Sequence, residues 1–231
     1  MKKNTMIVMA GALGLVALTS GCGNFGPDQR DTASYQVSDK VIALDVRGDS
    51  GTVEVVESDR KDIQVTETLT WRGKSKPKPT HEVGGGTLTL KFDCPTAVGL
   101  SSCEVAYKVE VPKGLKIKST TDSGTLALTG LSGKVEARTD SGTIEATGLS
   151  GQHFVAGSDS GTIELDFTAQ PEDLNVITDS GTVRVHVPDG PYKITAKSDS
   201  GSEKITAKND PASSRSISVT SDSGSLEVAT P

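Results

Sequence analysis

Large side chains are scarce in this chain: only 3% of its 231 residues are aromatic, with one Trp, three Tyr and four Phe. That scarcity excludes a deep, bulky core and leaves little material for stacking against sugar rings. Histidine stops at His81, His153 and His186, which have no metal-ligand spacing among themselves, and no CxxC pair occurs. Positive charge is in the minority, 24 Lys and Arg against 30 Asp and Glu. An acidic chain of this kind is a poor nucleic-acid binder. Long apolar runs are missing apart from one near the start, Met6 to Leu18, which is too short to span a bilayer.

That run follows Lys2 and Lys3 and ends in Thr19-Ser20-Gly21-Cys22, so residues 1–21 read as an export signal. Small residues directly before a cysteine resemble the lipobox of bacterial lipoproteins, although Leu18 stands four rather than three residues before Cys22. The resemblance implies cleavage before Cys22 and diacylglycerol on its sulfur, with palmitate among the acyl chains. The remaining chain carries 22 basic against 30 acidic residues, a formal charge of −8. Residues 22–34 are small and polar without apolar period and read as a flexible spacer, with the folded part expected near Tyr35. With Cys22 lipidated, Cys94 and Cys103 are left as one close pair, expected to form a disulfide outside the cytoplasm.

What the chain has in abundance is one corner. Asp-Ser-Gly followed by Thr or Ser begins at Asp49, Asp122, Asp140, Asp159, Asp179, Asp199 and Asp222, at intervals near 20 residues from the second copy on. A period of that length indicates a stacked repeat. Aligned on the Asp, the positions five and three before it and four and six after it are apolar in 26 of 28 cases, where the overall composition would place about ten. Positions between them, such as Asp45, Lys118, Glu136, Glu145 and Glu164, are mostly polar. Side chains two apart point to the same face of a strand, so each repeat reads as strand, corner, strand and variable return. The expected fold is all-β, a flattened single-chain β-solenoid with two strands per coil, stacked turn upon turn. Residues 120–231 form its regular repeats, and residues 35–119 an irregular N-terminal β module that caps them.

Asp-Ser/Thr-Gly-Ser/Thr is also the catalytic triplet of aspartic proteases, but seven copies on a 20-residue period do not make a pair of carboxylates sharing a proton. The expected role is structural: Asp accepts from nearby backbone amides and Gly supplies positive φ. Stacked Asp side chains about 5 Å apart repel by roughly 1 kcal/mol per neighbouring pair at water's dielectric, so amide caps or a weakly bound divalent cation must offset them. Glu203, standing in an inward column, indicates a thinning core or a salt-bridged defect. The one concentrated basic stretch, with Lys74, Lys76 and Lys78, could touch anionic lipid or wall polymer, though a solvated loop accounts for it as well.

With the lipobox-like start, the Cys94 to Cys103 loop running into Val109-Glu110-Val111-Pro112, and the Asp-Ser-Gly-Thr corners, the chain resembles the toast-rack putative adhesin family of bacterial β-strand-repeat proteins. The resemblance covers residues 36–229 and implies the stacked β architecture without any catalytic set, cofactor or metal site. A non-enzymatic envelope lipoprotein follows as the expectation, anchored on the outer face of a Gram-positive cytoplasmic membrane and binding an envelope polymer or protein partner. Carbohydrate-active β-helix enzymes are the rival class, and a spacer with no ligand the third.

Overall fold

The computed structural model describes residues 27–74, 76–95 and 102–230. Cys22 and the export signal lie outside the described residues. Sixteen strands and no helix are found among those described: β1 (Gln29–Val37), β2 (Ala43–Arg47), β3 (Thr52–Ser58), β4 (Ile63–Trp71), β5 (Lys78–Gly84), β6 (Thr87–Asp93), β7 (Cys103–Pro112), β8 (Lys116–Thr121), β9 (Thr125–Thr129), β10 (Val135–Thr139), β11 (Thr143–Leu149), β12 (His153–Phe167), β13 (Asp173–His186), β14 (Lys193–Ser198), β15 (Ser202–Ile205) and β16 (Ser216–Ala229). Strand β1 thus starts at Gln29, inside the stretch read as spacer, and pairs antiparallel with β4 from Gln29↔Trp71 to Val37↔Ile63.

Two parallel ladders run through the molecule. Strands preceding the corners pair in the order β6, β2, β8, β10, β12, β13, β16, β14, and those following them in the order β7, β3, β9, β11, β12, β13, β16, β15. Register follows the repeat alignment: Ile117↔Val135↔Phe154↔Leu174↔Ile217↔Ile194 on one ladder, Leu126↔Ile144↔Ile163↔Val183↔Leu226↔Glu203 on the other. The inward columns are buried along almost the whole length, with Val46, Val53, Ile144, Ile163 and Val183 at zero exposure. A one-residue slip would turn these columns to solvent, which is why the register holds from strand to strand. Antiparallel strands β5 on one ladder and β4 with β1 on the other complete the N-terminal end, where Trp71, Tyr107 and Leu69 add bulk to an otherwise aliphatic core.

Stacking departs from chain order in two places. The first corner coil, β2 with β3, lies directly on β8 and β9, so the long insertion between them is displaced to the end of the stack. At the opposite end β16 inserts between β13 and the β14 and β15 pair, so the coil of Asp222 lies inside that of Asp199. The expectation that successive turns lie directly over one another fails here, and Glu203 supplies the reason. As an inward residue of an interior coil it would be an unpaired charge sealed between two layers. In the terminal coil β15 is exposed throughout and Glu203 reaches the backbone, accepting from the Ser198 amide at 2.6 Å. Leu226 and Val228, both buried, fill the interior slot instead.

Candidate functional site

Each corner is built by glycine packing on glycine. A Cβ placed on Gly124 would overlap the carbonyl oxygen of Gly51, and the same holds for Gly142 on Gly124, Gly161 on Gly142, Gly181 on Gly161, Gly224 on Gly181 and Gly201 on Gly224. Five of these six glycines lack positive φ; only Gly181 has it, at 156°. The expected reason for glycine is therefore corrected: close approach of neighbouring coils demands it. Left-handed backbone belongs to the return side, at Gly130 (φ 71°) and Gly148 (φ 67°).

The expected Asp caps are corrected too. Among the described residues no corner Asp carboxylate accepts a backbone amide; the main-chain carbonyl of Asp49 instead accepts from the amides of Asp122, Ser123 and Gly124 at 2.9–3.2 Å. Side-chain capping falls to the residue before the Asp. Thr121 Oγ1 donates to the Asp49 carbonyl at 2.6 Å and accepts from the Gly124 amide at 3.3 Å. Thr139 repeats the pattern with the Asp122 carbonyl and the Gly142 amide. The row Thr121, Thr139, Ser158, Thr178, Ser221 is buried, and the Ser158 and Thr178 hydroxyls have no partner. Its sequence signal was the Thr or Ser preceding six of the seven Asp residues. All seven Asp side chains face solvent, and no group of three or more His, Cys, Asp or Glu among the described residues could hold a metal ion. The divalent-cation version of the Asp ladder thus finds no coordinating cluster.

The two outer faces differ in charge. The face of β3, β9, β11, β12 and β16 presents Glu54, Glu145, Glu164, Asp166 and Glu227, relieved by Lys108, Arg184 and Lys204 in ion pairs with Glu54, Glu164 and Glu227. The opposite face, over β6, β2, β8 and β10, presents Lys91, Arg47, Lys116, Lys118, Lys134 and Arg138 against Asp45, Glu136 and Asp93. A groove of about 270 Å³ opens on it, lined by side chains that include Asp45, Thr87, Lys116, Lys118, Lys134 and Glu136. Of the loop lysines singled out in the sequence, Lys76 pairs with Asp31 at 2.8 Å and lies 4.8 Å from the Trp71 ring centroid, while Lys74 and Lys78 are exposed.

At the N-terminal end a polar cluster lies between the layers. Glu67, 4% exposed, accepts from the Tyr35 hydroxyl at 2.6 Å, and Tyr35 stacks on His81 at 4.4 Å. The buried Tyr107 hydroxyl has no partner. Burial pushes the Glu67 carboxyl above its ordinary value, with the Tyr35 hydrogen bond and nearby His81 acting in the other direction. Burial likewise raises the Tyr35 and Tyr107 hydroxyls. The sequence pattern hid Glu67 because its partners come from three distant strands. His153 and His186 stay apart from this cluster, on β12 and β13. Cys94 and Cys103 are joined by a disulfide, with their Cα atoms 5.9 Å apart.

These ladders and corners define a class of stacked β-repeat protein. The family model Toastrack DUF4097 matches residues 107–230, more than half of the chain, and the protein belongs to that family. Among solved structures the fold is similar to a "putative cell adhesion protein" from Clostridium sporogenes, at 13% identity and a TM-score of 0.51, covering 88% of this chain and 100% of that one. A "putative adhesin" from Bacteroides fragilis is 15% identical over 87% of this chain and 97% of its own, with a TM-score of 0.42. No curated protein matches the chain.

Proposed function

We propose that this protein is a non-enzymatic binding scaffold of the cell surface, a flattened β-solenoid with two strands per coil held at the membrane by lipid on Cys22. The carrying observation is the unbroken register of seven Asp-Ser-Gly corners, which turns single outward positions into rows along two broad faces. Repetition of this kind suits recognition of extended partners better than enclosure of one small molecule. Membership of the Toastrack family, and the cell-adhesion description of the similar Clostridium sporogenes structure, support the surface role. Attachment in this reading rests on the lipobox-like Cys22. Residues 120–231 form the repeat body in this reading, and residues 35–119 its cap.

Two measurements test it. Full-length protein expressed in a Gram-positive host should incorporate labelled palmitate and sediment with membranes, and Cys22→Ala should lose the label. The full chain in detergent should retain material from envelope fractions; turnover of wall polysaccharides by the purified chain would instead place it among β-helix enzymes.

A further inference from the structure

Lys116, at the start of β8, and Lys134, directly before β10, stand opposite one another, since Ile117 pairs with Val135, and neither has an ion-pair partner among the described residues. Like charges facing across a ladder oppose folding, so such a pair persists most readily where something outside the chain neutralises it. Lys118, two residues along the same face, is only 4.0 Å from Glu136, whose carboxylate is already held by Arg138 at 3.0 Å. Arg47 is engaged by Asp45 at 2.9 Å. Three ammonium groups thus line the groove beside two carboxylates, Asp45 and Glu136, each of which is already held by an arginine, on a chain that is acidic overall.

We infer that this groove binds a linear polyanion with phosphodiester groups, a polyol-phosphate or sugar-phosphate chain of the envelope. The inference deepens the surface-scaffold reading and rests on it. Lysine ammonium groups are compact point charges well suited to phosphate oxygens. Positive positions continue over β6, β2, β8 and β10 to Lys91 and Arg138, a width of about 14 Å at the ordinary strand spacing, which exceeds one phosphate and fits successive groups of a polymer. A membrane surface fits less well. Among the described residues the exposed large apolar side chains near this ladder are scattered, Ile42 beside the groove and Ile177 two strands beyond Arg138, whereas interfacial docking buries a broad apolar face. The acidic face over β3, β9 and β11 provides an internal control, because Lys108 there is paired with Glu54.

The test uses the full chain in detergent with a fluorescent polyol-phosphate oligomer, read by anisotropy at low and high salt. Binding should weaken with salt, fall at least tenfold in Lys116→Gln/Lys134→Gln, and stay unchanged in Lys108→Gln, with equal melting temperatures confirming that all variants fold. Unchanged affinity in the double variant overturns the groove assignment. Binding to phosphatidylglycerol vesicles but not to the free oligomer overturns the polymer assignment. If envelope fractions are retained equally by wild type and double variant, the scaffold reading survives and this inference fails; if wild type retains nothing from them, the scaffold reading itself fails.

Discussion

Gly224, the corner glycine of the last repeat, packs against the carbonyl oxygen of Gly181 although Gly201 lies between them in the chain. That contact joins two properties of the molecule: neighbouring coils approach too closely for any Cβ at the corner, and the final coil is an insertion rather than an addition. Each property can be tested separately.

Replacing Gly142 by Ala forces a methyl group into the Gly124 carbonyl, and the two coils cannot separate without breaking ladder bonds on both sides. A loss of about 2 kcal/mol or more is expected, read as a clear fall in denaturation midpoint. Asp140→Asn should be neutral or slightly stabilising, since that carboxylate caps no amide and its removal relieves repulsion along the row. Equal damage from both variants would return the capping role to Asp.

The buried hydroxyl row should be uneven. Thr139→Val removes a donor to the Asp122 carbonyl and an acceptor for the Gly142 amide, at a cost of about 1 to 2 kcal/mol. Ser158→Ala discards a hydroxyl that has no partner, so chemical denaturation should find it at least as stable as wild type.

Ile144 is fully buried, whereas Glu203 occupies the corresponding column position in the open terminal coil. Ile144→Asp should abolish cooperative folding, because the new charge has no exit from the core. Glu203→Leu should fold normally. It should also weaken the preference for the inserted order, and cysteine crosslinks between β13 and β14 would detect coils stacked in chain order. Wild-type-like melting of Ile144→Asp would contradict the column alignment.

Glu67 makes stability depend on pH. Burial raises its carboxyl in the folded state, so the native protein binds the proton more tightly than the unfolded chain. Its contribution is greatest below the unfolded value, about 4.3, and is lost as pH rises through the higher folded value. Tyr35, Tyr107 and His81 are the titratable groups around it. Glu67→Gln stays neutral at every pH, so its melting temperature should exceed that of wild type increasingly from pH 4 to pH 7. A constant difference over that range would show that Glu67 does not titrate there.

Reducing the Cys94–Cys103 disulfide should cost about 2.5 to 3 kcal/mol, the chain-entropy value for a loop of about ten residues. The measurement is an equilibrium denaturation with and without reductant, with Cys94→Ser/Cys103→Ser as the reference.

Much of this architecture is legible in the amino-acid sequence. The inward columns through Leu44, Ile117, Ile144 and Val183 follow from period-two alternation repeated at fixed distance from each Asp, and the registers reproduce them residue by residue. Local pattern carries such information because a strand's two faces are set by the chain itself. The reason for glycine at the corner was not legible, since close approach is a relation between two coils and leaves the same residue in the sequence as positive φ does. Glu67 was equally hidden: Tyr35, Tyr107 and His81 reach it from strands that are neighbours only in space.

The amino-acid order by itself determined which residues face inward and where the Asp-Ser-Gly corners fall, because these depend on alternation and turn chemistry along one strand at a time. Tertiary structure alone decided the order of the coils, the inserted place of β16 and the gathering of Lys116, Lys118 and Lys134 around one groove. The first two depend on which strands can tolerate an open side, a question that the charge at Glu203 answers only once two layers close over the column, and the third on which strands become neighbours in space.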